Sequence, residues 1–143
     1  MNFNVSNKHI NNGSRSDCNF CPLAIAISDF FEKKNGYKRK LDDLGFVFND
    51  IHVDYTEIHI TFKDKHRLDK IDPNGLPLTS AFIQTVGVGT KLKKWIINFD
   101  ELKEDPKTGD MVYNDFHTES KPIKVGIKNL FDDEKSNRQI EIL

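Results

Sequence analysis

Two cysteines and a histidine near the N-terminus are the residues best suited to chemistry in this sequence. Cys18 and Cys21 are separated by two residues, a spacing at which two thiolates can bind one zinc ion. His9 would be the third ligand, and the fourth would be one of the other histidines: His52, His59, His66 or His117. A structural zinc site normally takes a second closely spaced pair of ligands, which the sequence lacks. We therefore predict no metal site. The alternative is a metal site with His9, Cys18 and Cys21 as ligands.

The same cysteines could carry redox chemistry if the reactive thiol stood at the start of a helix, where the helix dipole lowers its pKa. Pro22 predicts that a helix begins directly after Cys21, because proline fits the first helical position. This places Cys18 in the preceding turn, and the pattern before it contains no βαβ unit. We therefore favour a structural role, in which Cys21 is a small buried residue that seals the helix start against the core.

Two further histidines, His52 and His59, fall on the polar positions of neighbouring predicted strands and could face each other across a sheet. With Asp54 or Glu57 nearby, they could form a metal site or an acid–base cluster. No nucleophile or second carboxylate lies at a fixed spacing from them. We predict no catalytic residues and assign both histidines to a candidate binding surface.

A basic run is the other part of that candidate surface. Its members are Lys33, Lys34, Lys38, Arg39 and Lys40, with Tyr37 among them. Such a run with an aromatic residue could contact a phosphate backbone, but cations also complement the dipole at the end of a helix, and we favour this second interpretation. The formal net charge of −1, from 21 basic and 22 acidic residues, provides no overall field that would attract nucleic acid or an anionic membrane.

Acidic residues are also clustered. The clusters are Asp42-Asp43, Asp100-Glu101, Glu104-Asp105 and Asp132-Asp133-Glu134. They predict either a surface that faces a partner or simple solubility.

Four helices are predicted from capping residues and from apolar residues at helical spacing. They run from Ser6 or Asn7 to Asn12, with Gly13 in a left-handed conformation at the end; from Pro22 to the stop at Asn35-Gly36; from Thr79 or Ser80 to Val86; and from Leu92 to Phe99.

Strands are predicted where apolar and polar residues alternate. Two antiparallel strands lie between Leu44 and Phe62, and a third at Ile123–Ile127 carries lysines that suit an exposed edge. A last short strand is predicted at Ile140–Leu143, and residues 104–114 are predicted to form a loop. The resulting fold class is α+β, with three or four helices packed on a three- to four-stranded, mainly antiparallel sheet.

Length and composition predict a single domain over residues 1–143. No apolar run reaches the roughly 18 to 20 residues that span a bilayer, and residues 1–13 lack the apolar core of a signal peptide. We therefore expect a cytoplasmic protein with no membrane partner and no cofactor.

The N-terminal segment resembles small proteins encoded by bacteriophages and prophages. The residues that carry the resemblance are His9, Ile10, Gly13, Cys21, Pro22, Leu23, Ala24, Ala26 and Ile27, followed by Leu76-Pro77, Ala81-Phe82-Ile83 and Phe99-Asp100. This resemblance implies an origin in a mobile element, a location in the host cytosol and no known chemistry. By analogy, a small phage protein without a catalytic set often blocks or redirects a host factor, including immune effectors.

These observations predict a non-enzymatic binding protein that acts through a protein–protein interface, with a host protein as its partner and inhibition of a host defence factor as its effect. Two alternatives remain open. One is a metal-dependent or nucleic-acid-processing enzyme that uses His52, His59 and the basic run. The other is an accessory protein that binds nucleic acid, whose binding would weaken steeply with added salt.

Overall fold

The computed structural model describes residues 1–33, 36–65, 71–75, 81–132 and 137–143, and this part of the chain contains four helices and eight strands. In chain order they are β1 (Asn2–Val5), α1 (Asn7–Asn12), α2 (Pro22–Glu32), α3 (Lys38–Leu44), β2 (Phe46–Val53), β3 (Glu57–Asp64), β4 (Ala81–Val88), α4 (Thr90–Phe99), β5 (Leu102–Glu104), β6 (Met111–Tyr113), β7 (Ile123–Lys128) and β8 (Gln139–Ile142).

Six strands form one mixed sheet in the order β1-β7-β8-β4-β3-β2, and β5 pairs with β6 in a separate hairpin. Every pair in the large sheet is antiparallel except β4 with β8. The sheet curls into a half-barrel. The predicted three- to four-stranded, mainly antiparallel sheet was therefore wrong, because two of the six strands have sequences without a clear strand pattern.

β1 is one of these strands. It lies in an Asn-rich segment, yet Val5 is fully buried and pairs with Ile123 on β7. β7 was predicted correctly as a strand, but it lies between β1 and β8 and is not an edge. The lysines that suggested an edge, Lys124 and Lys128, are exposed from an interior strand. The short final strand was also predicted correctly, as β8.

β4 is the second strand that the sequence pattern obscured, since a helix was predicted up to Val86. The residues proposed to cap that helix lie outside the described residues. Gln84 and Val86 are buried, whereas Thr85 between them is exposed, so the chain alternates with period two. This segment pairs with β3 as an antiparallel strand, in a register that runs from Lys63↔Ala81 to Glu57↔Gly87.

α2 lies in the hollow of the half-barrel and contacts both edge strands, β1 and β2. It begins at Pro22 as predicted and ends at Glu32, before the predicted stop at Asn35-Gly36. Its buried residues are Pro22, Leu23, Ala24, Ala26, Ile27 and Phe31, and all of these except Pro22 belong to a continuous hydrophobic cluster with the sheet. A helix that is apolar on most sides is expected at such a central position.

α4 confirms the predicted amphipathic helix: Leu92, Ile96 and Phe99 are buried, while Trp95 is half-buried and donates a hydrogen bond from Nε1 to the Lys121 carbonyl at 3.0 Å. The two predicted antiparallel strands are confirmed as β2 and β3. α3 was not predicted. No helix in the described ranges is both long and apolar enough to cross a membrane.

Candidate functional site

The N-terminal histidine holds α1 against α2. The backbone N–H of Ser6, the residue that caps α1, donates to His9 Nδ1 at 3.0 Å. Because Nδ1 accepts this hydrogen bond, the ring proton lies on Nε2, which donates to Asp29 Oδ2 at 2.8 Å. His9 therefore links the first turn of one helix to the side of the next.

Ser6, His9 and Asp29 resemble a hydrolase triad in residue type, because Ser6 Oγ lies 3.1 Å from His9 Nδ1. The backbone N–H of Ser6 competes for the same lone pair of Nδ1, so His9 is a poor general base for the hydroxyl. Burial alone would raise the pKa of the Asp29 carboxyl, but hydrogen bonds from His9 and Lys33 outweigh it and lower the pKa. The arrangement serves as a helix cap.

Cys21 caps α2, as its Sγ accepts the Ala24 N–H at 3.4 Å. Burial raises the pKa of the Cys21 thiol to about 11. Cys18 lies exposed in the preceding turn, and partial desolvation together with Asp54 raises its pKa as well. Both thiols are therefore protonated at neutral pH, which does not favour nucleophilic chemistry.

Gly13 was predicted to end α1 in a left-handed conformation, and this prediction was wrong, because its backbone is extended at φ −76° and ψ 149°. The close approach of the Gly13 backbone to the ring of Pro22 explains the glycine instead. A Cβ at this position would lie 2.5 Å from Cδ of Pro22. Gly13 thus allows the end of α1 to touch the start of α2.

Two of the three candidate zinc ligands have other partners, while Cys18 is a free, exposed thiol. His9 is bound to Ser6 and Asp29, and the Cys21 thiol is used inside the cap of α2. Within the described ranges, no three His, Cys, Asp or Glu side chains are placed to hold a metal ion. His66, one of the possible fourth ligands, lies outside these ranges.

Two cations of the basic run, Lys33 and Lys40, contact neighbouring side chains. Lys33 Nζ lies 3.2 Å from Asp29 Oδ2, and Lys40 Nζ lies 5.4 Å from the centre of the Tyr37 ring. That ring stacks on Phe30 at 5.5 Å and joins the core. Lys38 is half-buried and Arg39 and Lys40 are exposed, while Lys34 lies outside the described residues.

His52 and His59 lie opposite each other in the β2–β3 register, with ring centroids 6.2 Å apart. His59 also contacts Glu57 Oε1 at 3.0 Å and Thr85 Oγ1 at 3.3 Å. The structure thus brings the two histidines together. Their side chains project from the polar positions of the strands, away from the buried Ile51 and Ile60.

A polar cleft that the sequence did not predict opens between α1 and the end of α4. Its volume is about 490 Å³. Side chains that can donate or accept hydrogen bonds dominate its lining: Asn7, Asn11, Arg15, Asn98, Glu101, His117, Thr118, Glu119 and Ser120. The Asn98 side chain bonds both backbone groups of Thr118, at 2.9 and 3.1 Å, and so holds one wall in place.

Glu101 is the central charge of this cleft. Its Oε1 lies 3.0 Å from Arg15 Nε and 3.6 Å from His117 Nε2. The guanidinium of Arg15 also lies 5.6 Å from the centre of the Phe99 ring. His117 donates from Nδ1 to the Asn114 carbonyl at 2.8 Å, which leaves Nε2 facing Glu101.

Two residues at the cleft have left-handed backbones, Ser16 at φ 54° and Glu101 at φ 61°. Neither is glycine, so both conformations are strained. The N–H of Ser16 donates to Asp100 Oδ1 at 2.8 Å, and Asp100 Oδ2 accepts from the Tyr55 hydroxyl at 2.9 Å. Two of the four left-handed non-glycine residues in the described ranges therefore lie where the loop that carries Arg15 meets the end of α4; the other two are Asn129 and Phe131.

The chain beyond α4 forms the most exposed aromatic surface near the cleft. We call residues 100–119 the acidic hairpin, since they contain seven acidic side chains and two lysines, a formal net charge of −5. The predicted loop at residues 104–114 was partly wrong, because β6 forms within it and pairs with β5. Tyr113 is 57% exposed and Phe116 is 85% exposed. The acidic pairs of this hairpin were visible in the sequence, but its exposed aromatics were not.

Comparison with protein-family models, with curated proteins and with solved structures found no match to this chain. Function is therefore inferred from the side chains of these surfaces.

Proposed function

We propose that this is a non-enzymatic binding protein that recognises a host protein through the acidic hairpin. The exposure of Phe116 carries the proposal. An aromatic side chain that is 85% exposed, beside Tyr113 at 57%, leaves a large apolar area in water. Aromatic residues dominate the binding energy of protein interfaces when a partner covers them.

The charge of the hairpin supports a partner with a basic surface. Its net charge of −5 contrasts with −1 for the whole chain. Complementary charge raises the rate of encounter and excludes acidic competitors, whereas the aromatic side chains supply most of the affinity.

The other candidate surfaces support an enzyme or a nucleic-acid binder less well. The two thiols are protonated at neutral pH, Ser6 has a poor general base in His9, and the basic run already contacts Asp29 and Tyr37. The resemblance to phage and prophage proteins supports a host factor, such as a component of host defence, as the protein that is blocked.

The test is recovery of a partner from a bacterial lysate on immobilised wild-type protein, followed by titration of the purified partner. Phe116→Ser should weaken binding by about 30-fold, the effect of losing a hot spot worth about 2 kcal/mol. Phe20→Ser is the matched control, because Phe20 is 63% exposed on a different loop. It should leave the affinity unchanged.

Three results would contradict the proposal: no stoichiometric protein on the column, equal losses in the two variants, or a partner that nuclease treatment removes. The last would favour the nucleic-acid alternative. Added salt should slow association with a protein partner and leave most of the aromatic contribution in place.

A further inference from the structure

The polar cleft already holds one cation, which belongs to the chain itself. The Arg15 guanidinium lies between the Glu101 carboxylate, 3.0 Å from its Nε, and the face of the Phe99 ring, 5.6 Å from its carbon Cζ. A carboxylate beside an aromatic face is a favourable environment for a guanidinium or ammonium group. The position of Arg15 therefore shows which ligand chemistry this part of the cleft accepts.

The cleft has room and acceptors beyond those that Arg15 uses. Among the described contacts, Glu101 uses only Oε1, and the Glu119 carboxylate and the side-chain amides of Asn7 and Asn11 make no hydrogen bond. The carboxylates of Glu101 and Glu119 thus line the same cleft as Arg15 and His117, within a volume of about 490 Å³. The surrounding acidic hairpin makes the local potential more negative, which favours a cation over an anion.

Arg15 can be displaced at low cost. Its side chain is 60% exposed, and an ion pair with so exposed a member contributes little to stability. A second cation could take the contacts of Arg15 with Glu101, or bind beside it on Glu119.

We propose that the cleft binds a guanidinium or primary ammonium group, carried by an arginine or lysine on the basic surface of the partner protein. This inference rests on the proposed function, because it assigns the partner's charge to a particular site. The aromatic side chains of the acidic hairpin then pack beside that anchor, and Arg15 competes with it in the free protein.

The test uses Nα-acetyl-L-arginine amide as the probe and the uncharged Nα-acetyl-L-citrulline amide as its isosteric control. Resonances of the Arg15 Nε–H and of the Asn7 and Asn11 side-chain amides report occupancy in nitrogen-15 NMR spectra. The arginine probe should shift these resonances in a saturable manner, and the citrulline compound should not, because it lacks the charge that Glu101 recognises.

Three variants separate this site from general attraction by acidic surface. Glu101→Gln should weaken the arginine probe about tenfold, whereas Arg15→Gln should tighten its binding several-fold by removing the internal competitor. Glu104→Gln is the matched control and should have no effect, since Glu104 lies on the same hairpin and faces Lys93 at 3.5 Å.

The proposal would be overturned by equal shifts from the two probes, by equal losses in Glu101→Gln and Glu104→Gln, or by loss of binding in Arg15→Gln. The last result would mean that Arg15 supports binding of the probe and does not compete with it. Tighter binding of spermidine than of the arginine probe would also overturn it, by assigning the cleft to a free polyamine. Phe116→Ser should bind the probe normally, so failure here is distinguishable from failure of the hairpin as an interface.

Discussion

The N-terminal motif, from His9 to Ile27, and the acidic hairpin, residues 100–119, differ in how much of their chemistry is available to other molecules. The motif contains a histidine and two cysteines, yet His9 is bound to Ser6 and Asp29, and Cys21 is buried in a helix cap. The hairpin contains no cysteine and no set of residues at a catalytic spacing, but its Phe116 is almost fully exposed. Residue type and spacing indicate which chemistry is possible, whereas burial and hydrogen-bond partners decide whether it is available.

The largest expected contrast is in stability. Ile27→Ala should lower the free energy of unfolding by about 2–5 kcal/mol, because truncation of this fully buried side chain of the motif would leave a cavity. Phe116→Ala should change it by less than about 0.5 kcal/mol. Urea unfolding monitored by fluorescence of Trp95, the single tryptophan, measures both. A larger loss in Phe116→Ala would reverse the assignment of the two regions.

Gly13→Ala tests the close contact inside the motif. The new methyl group would meet the ring of Pro22 at 2.5 Å, so we expect a loss of about 1–3 kcal/mol from overpacking. Asn12→Ala, at the neighbouring exposed position, serves as the control in the same urea experiment. Identical midpoints for the two variants would show that α1 and α2 can separate without cost.

Ser16→Gly addresses the strain at the cleft. A glycine adopts φ 54° freely, so the substitution should relieve the backbone strain at this position. Glycine also makes the unfolded chain more flexible, which opposes this gain, so the net stabilisation should be up to about 1 kcal/mol. Thermal unfolding checks the direction. A decrease in Tm would mean that the Ser16 side chain has a stabilising role that outweighs the strain.

The smallest effect concerns pH. Although burial opposes it, hydrogen bonds from His9 and Lys33 keep the pKa of Asp29 below its ordinary value of 3.8. Because the folded pKa is lower than the unfolded one, the contribution of Asp29 is present above about pH 4 and is lost as the pH falls through the folded pKa. Asp29→Asn should therefore flatten the stability profile in this acidic range, with a loss of about 1 kcal/mol or less at neutral pH, as expected for a partly exposed group. An unchanged slope below pH 4 would contradict the helix-linking role.

Local signals predicted the helices and strands whose partners lie nearby in sequence. Pro22 marked the start of α2, and the spacing of Leu92, Ile96 and Phe99 marked α4. The alternation from Phe46 to Phe62 predicted a β-hairpin whose strands are joined by a short turn. Each of these signals lies within a few residues, so the sequence alone contains it.

β1 needed a partner that the sequence pattern does not identify. Val5 becomes a core residue only because β7, more than a hundred residues later, pairs with β1. The same long-range pairing placed β7 inside the sheet, although its lysines resemble those of an edge. Periodicity indicates which face of a strand is buried, but it does not identify the neighbouring strand.

The sequence by itself therefore determined the motif, the starts of α1 and α2 and the amphipathic helix α4, because these depend on residues close together in the chain. Only the tertiary structure decided that His9 and Cys21 are occupied, that Arg15 meets Glu101 across a polar cleft, and that Phe116 faces water. The physical reason is that exposure and pairing depend on which distant segments pack together, whereas capping and periodicity depend on local backbone geometry.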